Sequence, residues 1–96
     1  MKVHPVTCTV YNPDGSLDVC IIDEVFSNKK AAFEHAQYMV SIAMEYHAAE
    51  KGFTSVKESF EAGQIFIYYR NGQIAEAWEL WSQEVFNSAK EAREYW

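Results

Sequence analysis

The sequence predicts an α+β domain: an antiparallel sheet with elements in the order ββαβββα, one long amphipathic helix packed on one sheet face, and a short C-terminal helix. Three observations carry this. Alternating apolar residues flank an Asn-Pro-Asp-Gly turn near the N-terminus. A helical apolar stripe occupies the second quarter of the chain. Two further turn signals, Ala62-Gly63 and Asn71-Gly72, then divide residues 53–81 into three strand-like runs.

Residues 3–22 read as a hairpin. Val6, Cys8 and Val10 alternate with Thr7 and Thr9, and Leu17, Val19 and Ile21 alternate with Asp18 and Cys20. In Asn12-Pro13-Asp14-Gly15, proline presets φ, the Asn and Asp side chains bond the local backbone, and glycine takes positive φ. A four-residue loop at 12–15 sets Val10 opposite Leu17, Cys8 opposite Val19 and Val6 opposite Ile21. One face is then apolar, and Cys20 lies on the other face from Cys8, so two free thiols are expected.

The helix is expected over 28–51. Ser27 or Asn28 can cap it, Phe26 can staple its entry, and Gly52 can stop it in the left-handed region. At 100° per residue, Ala32, Phe33, Ala36, Met39, Val40, Ala43, Met44 and His47 share one stripe, opposite Glu34, Gln37, Ser41 and Glu45. Strands over 53–61, 64–70 and 73–81 form a meander. About its turns, Phe60, Ile65 and Trp78 share a rung, as do Glu58, Ile67 and Glu76, and Val56, Tyr69 and Ile74. That face, with Leu80, is the one expected against the helix. The other carries Lys57, Phe66, Tyr68, Arg70, Ala75, Ala77, Glu79 and Trp81. A closing helix over 87–96 carries a capping box, Ser88 with Glu91, and sets Ala89, Ala92, Arg93 and Trp96 on one face.

EVFSNKKAAFE (24–34) and EVFNSAKEARE (84–94) match at six of eleven positions. Both fall where a strand gives way to a helix. Val and Phe suit the sheet, Ser or Asn the cap, Ala and Glu the helix, so the echo reads as junction punctuation. No family resemblance is drawn from it.

Ninety-six residues make one domain, 1–96, and 49% apolar with 16% aromatic content excludes disorder. No apolar run reaches the length of a membrane span and the N-terminus lacks a signal-peptide pattern, so a cytoplasmic location is expected. A net charge of −6 argues against direct nucleic-acid binding and permits a basic protein partner. His4, His35 and His47 are widely spaced, and HExxH and CxxC are absent, so no metal and no cofactor are expected. Lys29 and Lys30, in the first helical turn, are expected to pair with Asp23 or Glu24.

Two function classes follow. The leading one is a small acidic, non-catalytic protein–protein interaction module, of the accessory or phage-inhibitor type that occupies a basic nucleic-acid-binding surface. Its surface would comprise Phe66, Tyr68, Trp81, Lys57, Arg70 and Glu79, with the acids Asp18, Asp23, Glu24, Glu76 and Glu84. A helix flank of Tyr38, Ile42 and Tyr46 is a candidate homodimer contact. The alternative is a small-molecule binder or enzyme with a helix–sheet cavity near His47, Glu58 and Glu76, where burial can tune an acid–base pair.

Overall fold

The computed structural model describes residues 1–95; Trp96, and its expected place on the last helix, lie outside them. The elements are β1 (Lys2–Tyr11), β2 (Leu17–Phe26), α1 (Lys29–Tyr46), α2 (Ala48–Lys51), β3 (Phe53–Ser59), β4 (Gln64–Tyr69), β5 (Ile74–Leu80), β6 (Gln83–Glu84) and α3 (Ala89–Tyr95). The order is ββαβββα with one short added strand. The antiparallel sheet runs β2-β1-β5-β4-β3, and β6 extends the β5 side of β1 by pairing Lys2 and Val3 with Glu84 and Gln83.

The face bearing Ile65, Trp78 and Leu80 is the one α1 covers. Val6, Ile65 and Ile67 are fully buried there with Ala32, Phe33, Ala36, Val40 and Ala43. One rung across it reads Glu58, Ile65, Trp78, Cys8, Ile21; the next reads Val56, Ile67, Glu76, Val10, Val19.

Several expected registers shift, and the turns explain why. The first hairpin closes on a tighter loop: Asn12 N–H donates to the Ser16 carbonyl, and Gly15, at φ 89°, donates to Asn12. Hydrogen bonds from the Ser16 hydroxyl and backbone hold the Asp14 carboxyl below its ordinary range. Tyr11 therefore faces Leu17. A bulge at Asp18 adds one more residue, so Val10 meets Val19 and Cys8 meets Ile21. A second bulge at Asp23 sets Val6 opposite Glu24. At the last hairpin, Tyr69 N–H donates to Gln73 across a three-residue loop, and a bulge at Ala75 restores Ile67 to Glu76. Ala75, expected on the outer face, is consequently buried in the core. Between β3 and β4 the loop is four residues long, so Glu58 meets Ile65 and Phe60 leaves the strand.

Asn28 is the cap of α1: its side-chain oxygen accepts from the Ala31 N–H at 2.8 Å. Lys29 donates to the Glu61 carbonyl and sits 4.6 Å from the Phe60 ring centre, while Lys30 lies near Glu34. Neither lysine pairs with Asp23 or Glu24, because the β3–β4 loop folds over the helix start. The expected single helix to Lys51 breaks at His47, where φ −123° and ψ −12° leave the helical region; α2 then ends at left-handed Gly52. The buried part of the stripe stops at Ala43, and His47 is exposed.

The C-terminal arm stands apart. Ser88 caps α3 by accepting from Glu91 N–H, and Glu91 reaches back to the Asn87 amide. No residue of α3 is buried, and among the described residues it packs substantially against no strand or other helix. The radius of gyration, 15.5 Å, accordingly exceeds the ~12–13 Å of a compact chain of this length.

Candidate interaction surface

The sheet face opposite α1 is built by the alternate residues of each strand. One rung reads Lys57, Phe66, Ala77, Thr9, Cys20, and the next Ser59, Gln64, Glu79, Thr7, Ile22. Beyond them Trp81 N–H donates to the Pro5 carbonyl, and on the other side Ser55, Tyr68 and Ile74 line up. Small side chains thus occupy the middle and aromatic ones the surround. No helix covers this face among the described residues, since α1 lies beneath the sheet and α3 packs substantially against none of its strands.

Trp81 is 52% exposed and its indole N–H donates to the Thr7 hydroxyl at 2.9 Å. That bond holds the ring over the threonine row. Beside it lies a largely apolar groove of about 330 Å³, lined by Pro5, Thr7, Ile22, Trp81, Ser82 and Gln83. Ile22, 70% exposed, forms the far wall. Phe66 and Tyr68 meet edge to face at 6.4 Å and border a smaller depression of about 130 Å³ with Lys57, Glu58, Ser59 and Gln64.

The expected surface is therefore assembled in part. Phe66, Tyr68, Trp81, Lys57 and Glu79 share the uncovered face, and Arg70 is exposed in the β4–β5 loop. The acids do not form one patch. Glu76 is a correction: it is 8% exposed on the helix-facing side, because it lies on the rung of Ile67 and Val10, and Trp78 Nε1–H donates to it at 3.0 Å. Asp23 accepts from His35 Nε2 at 2.5 Å, and Glu84 lies 3.4 Å from the N-terminal ammonium. Asp18 and Glu24 stay exposed on β2.

Among the described residues, the three of the helix–sheet alternative are not brought together. His47 is exposed at the α1–α2 break, Glu58 accepts from Gln37, and Glu76 from Trp78; among the described residues no hydrogen bond joins any two of them. Burial pushes the Cys8 thiol up to about 12, with the negative field of Glu76 and then Asp23 adding to it. Burial, then Glu76, also raises the Tyr69 phenol. Among the described residues no group of three or more His, Cys, Asp or Glu side chains is placed to hold a metal ion, and no helix is long and apolar enough to cross a membrane.

The sequence reading missed Pro5, Thr7 and Ile22. The alternation in β1 does carry the signal for Pro5 and Thr7, which fall opposite Val6 and Cys8. Ile22 follows from the same alternation in β2, two residues beyond Cys20, and pairs with Thr7. Comparison with protein families, with curated proteins and with solved structures finds no match.

Proposed function

We propose that this protein is a small non-catalytic interaction module that docks a protein partner on the sheet face opposite α1. The observation that carries the reading is the uncovered aromatic face, with Trp81 half exposed over a groove of about 330 Å³. A half-exposed tryptophan pinned by a hydrogen bond presents large apolar area with little ordering left to do on binding, the property of interface anchors. The net charge of −6 extends the proposal to a partner with a basic surface, such as a nucleic-acid-binding protein whose groove the module occupies. The face itself is nearly neutral, with Lys57 near one margin and Glu79 in its interior. Asp18 and Glu24 lie on β2 at its border, so the charge serves steering and the aromatics serve contact.

The test is affinity capture and mass spectrometry with the native chain and a Trp81→Ala, Tyr68→Ser double variant, both checked for native circular dichroism. A partner retained by the native chain and lost by the variant is expected. One retained equally by both refutes the face. Association that does not weaken between low and high salt refutes the basic-partner extension.

A further inference from the structure

We propose that a second copy of this chain pairs antiparallel with β2, joining the two sheets edge to edge and bringing the two α1 flanks together. The sheet's two edges differ. β3 is short and polar: Thr54, Ser55, Lys57, Glu58 and Ser59 are exposed, with Val56 the one large apolar side chain showing. That is how a sheet edge is protected from unwanted pairing. β2 is ten residues long, pairs among the described residues only with β1, and exposes Leu17, Val19, Ile21, Ile22 and Val25 at 43–70%.

The helix repeats the asymmetry. The bond from His35 to Asp23 fixes which flank of α1 faces β2, and one turn onward that flank carries Tyr38, Met39, Ile42 and Tyr46. Tyr38 and Tyr46 are 63% and 68% exposed. The opposite flank, fixed by Gln37 and Glu58, is polar. Val19 and Ile21 of the edge therefore lie on the side of the sheet that carries the helix flank, while Ile22 and Val25, which pair with Thr7 and Pro5, continue the apolar edge onto the other face. A foreign strand would satisfy the edge and leave the tyrosines bare. A second copy supplies a strand and a helix flank in the same relation, so it covers both.

The area fits as well. Leu17, Val19, Ile21, Ile22, Val25, Tyr38 and Tyr46, counted over both faces of the edge, together expose on the order of 700–800 Å² per protomer, the upper bound on what pairing covers, against about 800 Å² per partner for a stable interface. Charge then selects the register. The bulges at Asp18 and Asp23 bracket an uncharged window, Val19-Cys20-Ile21-Ile22. A register centred on Ile21 sets Asp18 opposite the second copy's Glu24, which repel. A register centred on Cys20 sets Val19 opposite the second copy's Ile21 and keeps the acids apart, and it places the two Cys20 side chains opposite each other.

Sedimentation equilibrium from low micromolar to near-millimolar concentration is expected to give twice the chain mass at the upper end. Ile21→Glu and Tyr46→Ser alter half-exposed groups and leave the monomer folded by circular dichroism. They are expected to weaken the dimer on the order of 100-fold and 10-fold. Trp81→Ala, on the other face, should leave it unchanged, which separates this proposal from the docking face above. Diamide treatment, which takes two electrons and two protons from a thiol pair, is expected to link the dimer through Cys20 and not in Cys20→Ser. A monomer throughout the range, or a dimer indifferent to Ile21→Glu and Tyr46→Ser, overturns the proposal. A dimer lost in those variants that diamide fails to link overturns the Cys20-centred register.

Discussion

Trp78 and Trp81 stand three residues apart at the end of β5 and test which side of the sheet is inside. Trp78 is 4% exposed beneath α1 and donates to the buried Glu76. Trp81 is 52% exposed and donates to Thr7. A chain of this length has a total stability of about 5–14 kcal/mol. Trp78→Ala removes a fully packed ring, costing about 3–5 kcal/mol, and leaves a buried carboxylate without its donor, which adds to that. Trp81→Ala loses only about 100 Å² of buried contact, worth ~2 kcal/mol as an upper bound. With a urea slope of ~1–1.5 kcal/mol/M, the midpoint falls by about 2–5 M for Trp78→Ala and by no more than about 1–2 M for Trp81→Ala. Trp78→Phe keeps most of the volume and withdraws the N–H, so it isolates the Glu76 bond at about 1–3 kcal/mol. Urea unfolding followed by far-ultraviolet circular dichroism reads all three. If Trp81→Ala is as damaging as Trp78→Ala, the assignment of core and docking face is inverted and the proposed surface is the core.

Native-state thiol labelling should find one fast cysteine and one slow. Cys20 is exposed, whereas Cys8 is buried and its thiol is pushed up to about 12, so its thiolate is on the order of one in ten thousand at about pH 8. Equal labelling rates would refute the placement of Cys8. The same shift makes stability pH-dependent. A folded-state value raised above the ordinary 9.0 favours the protonated fold, so the contribution is intact below pH 9.0 and is lost as pH climbs toward 12. The native chain should lose up to about 4 kcal/mol in that window that Cys8→Ala does not lose, measured as the difference between their alkaline urea midpoints. Asn28→Ala should cost about 1 kcal/mol through the vacated cap of α1, and Asn28→Asp should recover it; no change in the thermal midpoint of Asn28→Ala would show that the bond to Ala31 contributes nothing.

Element type and most faces were legible in the sequence because both rest on local periodicity; Ile74 and Ala75 exchanged faces because the bulge beside them interrupts it. Register was less legible, and the errors share a cause. Turn chemistry located the loops but not their lengths. In the first hairpin the loop closes one residue tighter than expected and the Asp18 bulge adds one, so the total slip is two. In the last hairpin a loop of three residues is offset by the bulge at Ala75. Between β3 and β4 the slip is again two. A slip of two preserves which face each side chain takes; a slip of one buries Thr9 and exposes Cys8. Burial therefore enforces parity, and bulges are where the strands adjust to keep it. Glu76 was misplaced by a different route. Its rung was read correctly, but a glutamate on an apolar rung was still assigned to the surface on charge alone, where the Trp78 N–H two residues on holds it inside.

The EVF echo separates two links that sequence patterns usually blur. In both copies the cap falls at the fifth position, Asn28 in one and Ser88 in the other, and each accepts from the N–H three residues on. The junction grammar is therefore the same. The packing is not: α1 buries five residues and α3 none. Phe26 shows why. It packs against the core and lies 5.1 Å from the His35 ring, so the first junction is held down by tertiary contact, while Phe86 lies outside the core cluster and its ring stands 5.3 Å from that of Tyr95. Caps set where a helix begins; they do not supply a surface for it to cover. A seven-residue helix is too short to be stable in isolation, and among the described residues α3 packs substantially against no strand or other helix. Its order in solution is thus tied to whatever occupies the exposed faces. Amide exchange across 89–95 should be near the unprotected limit in the monomer and should slow only on association; protection at high dilution would mean that α3 folds on its own capping.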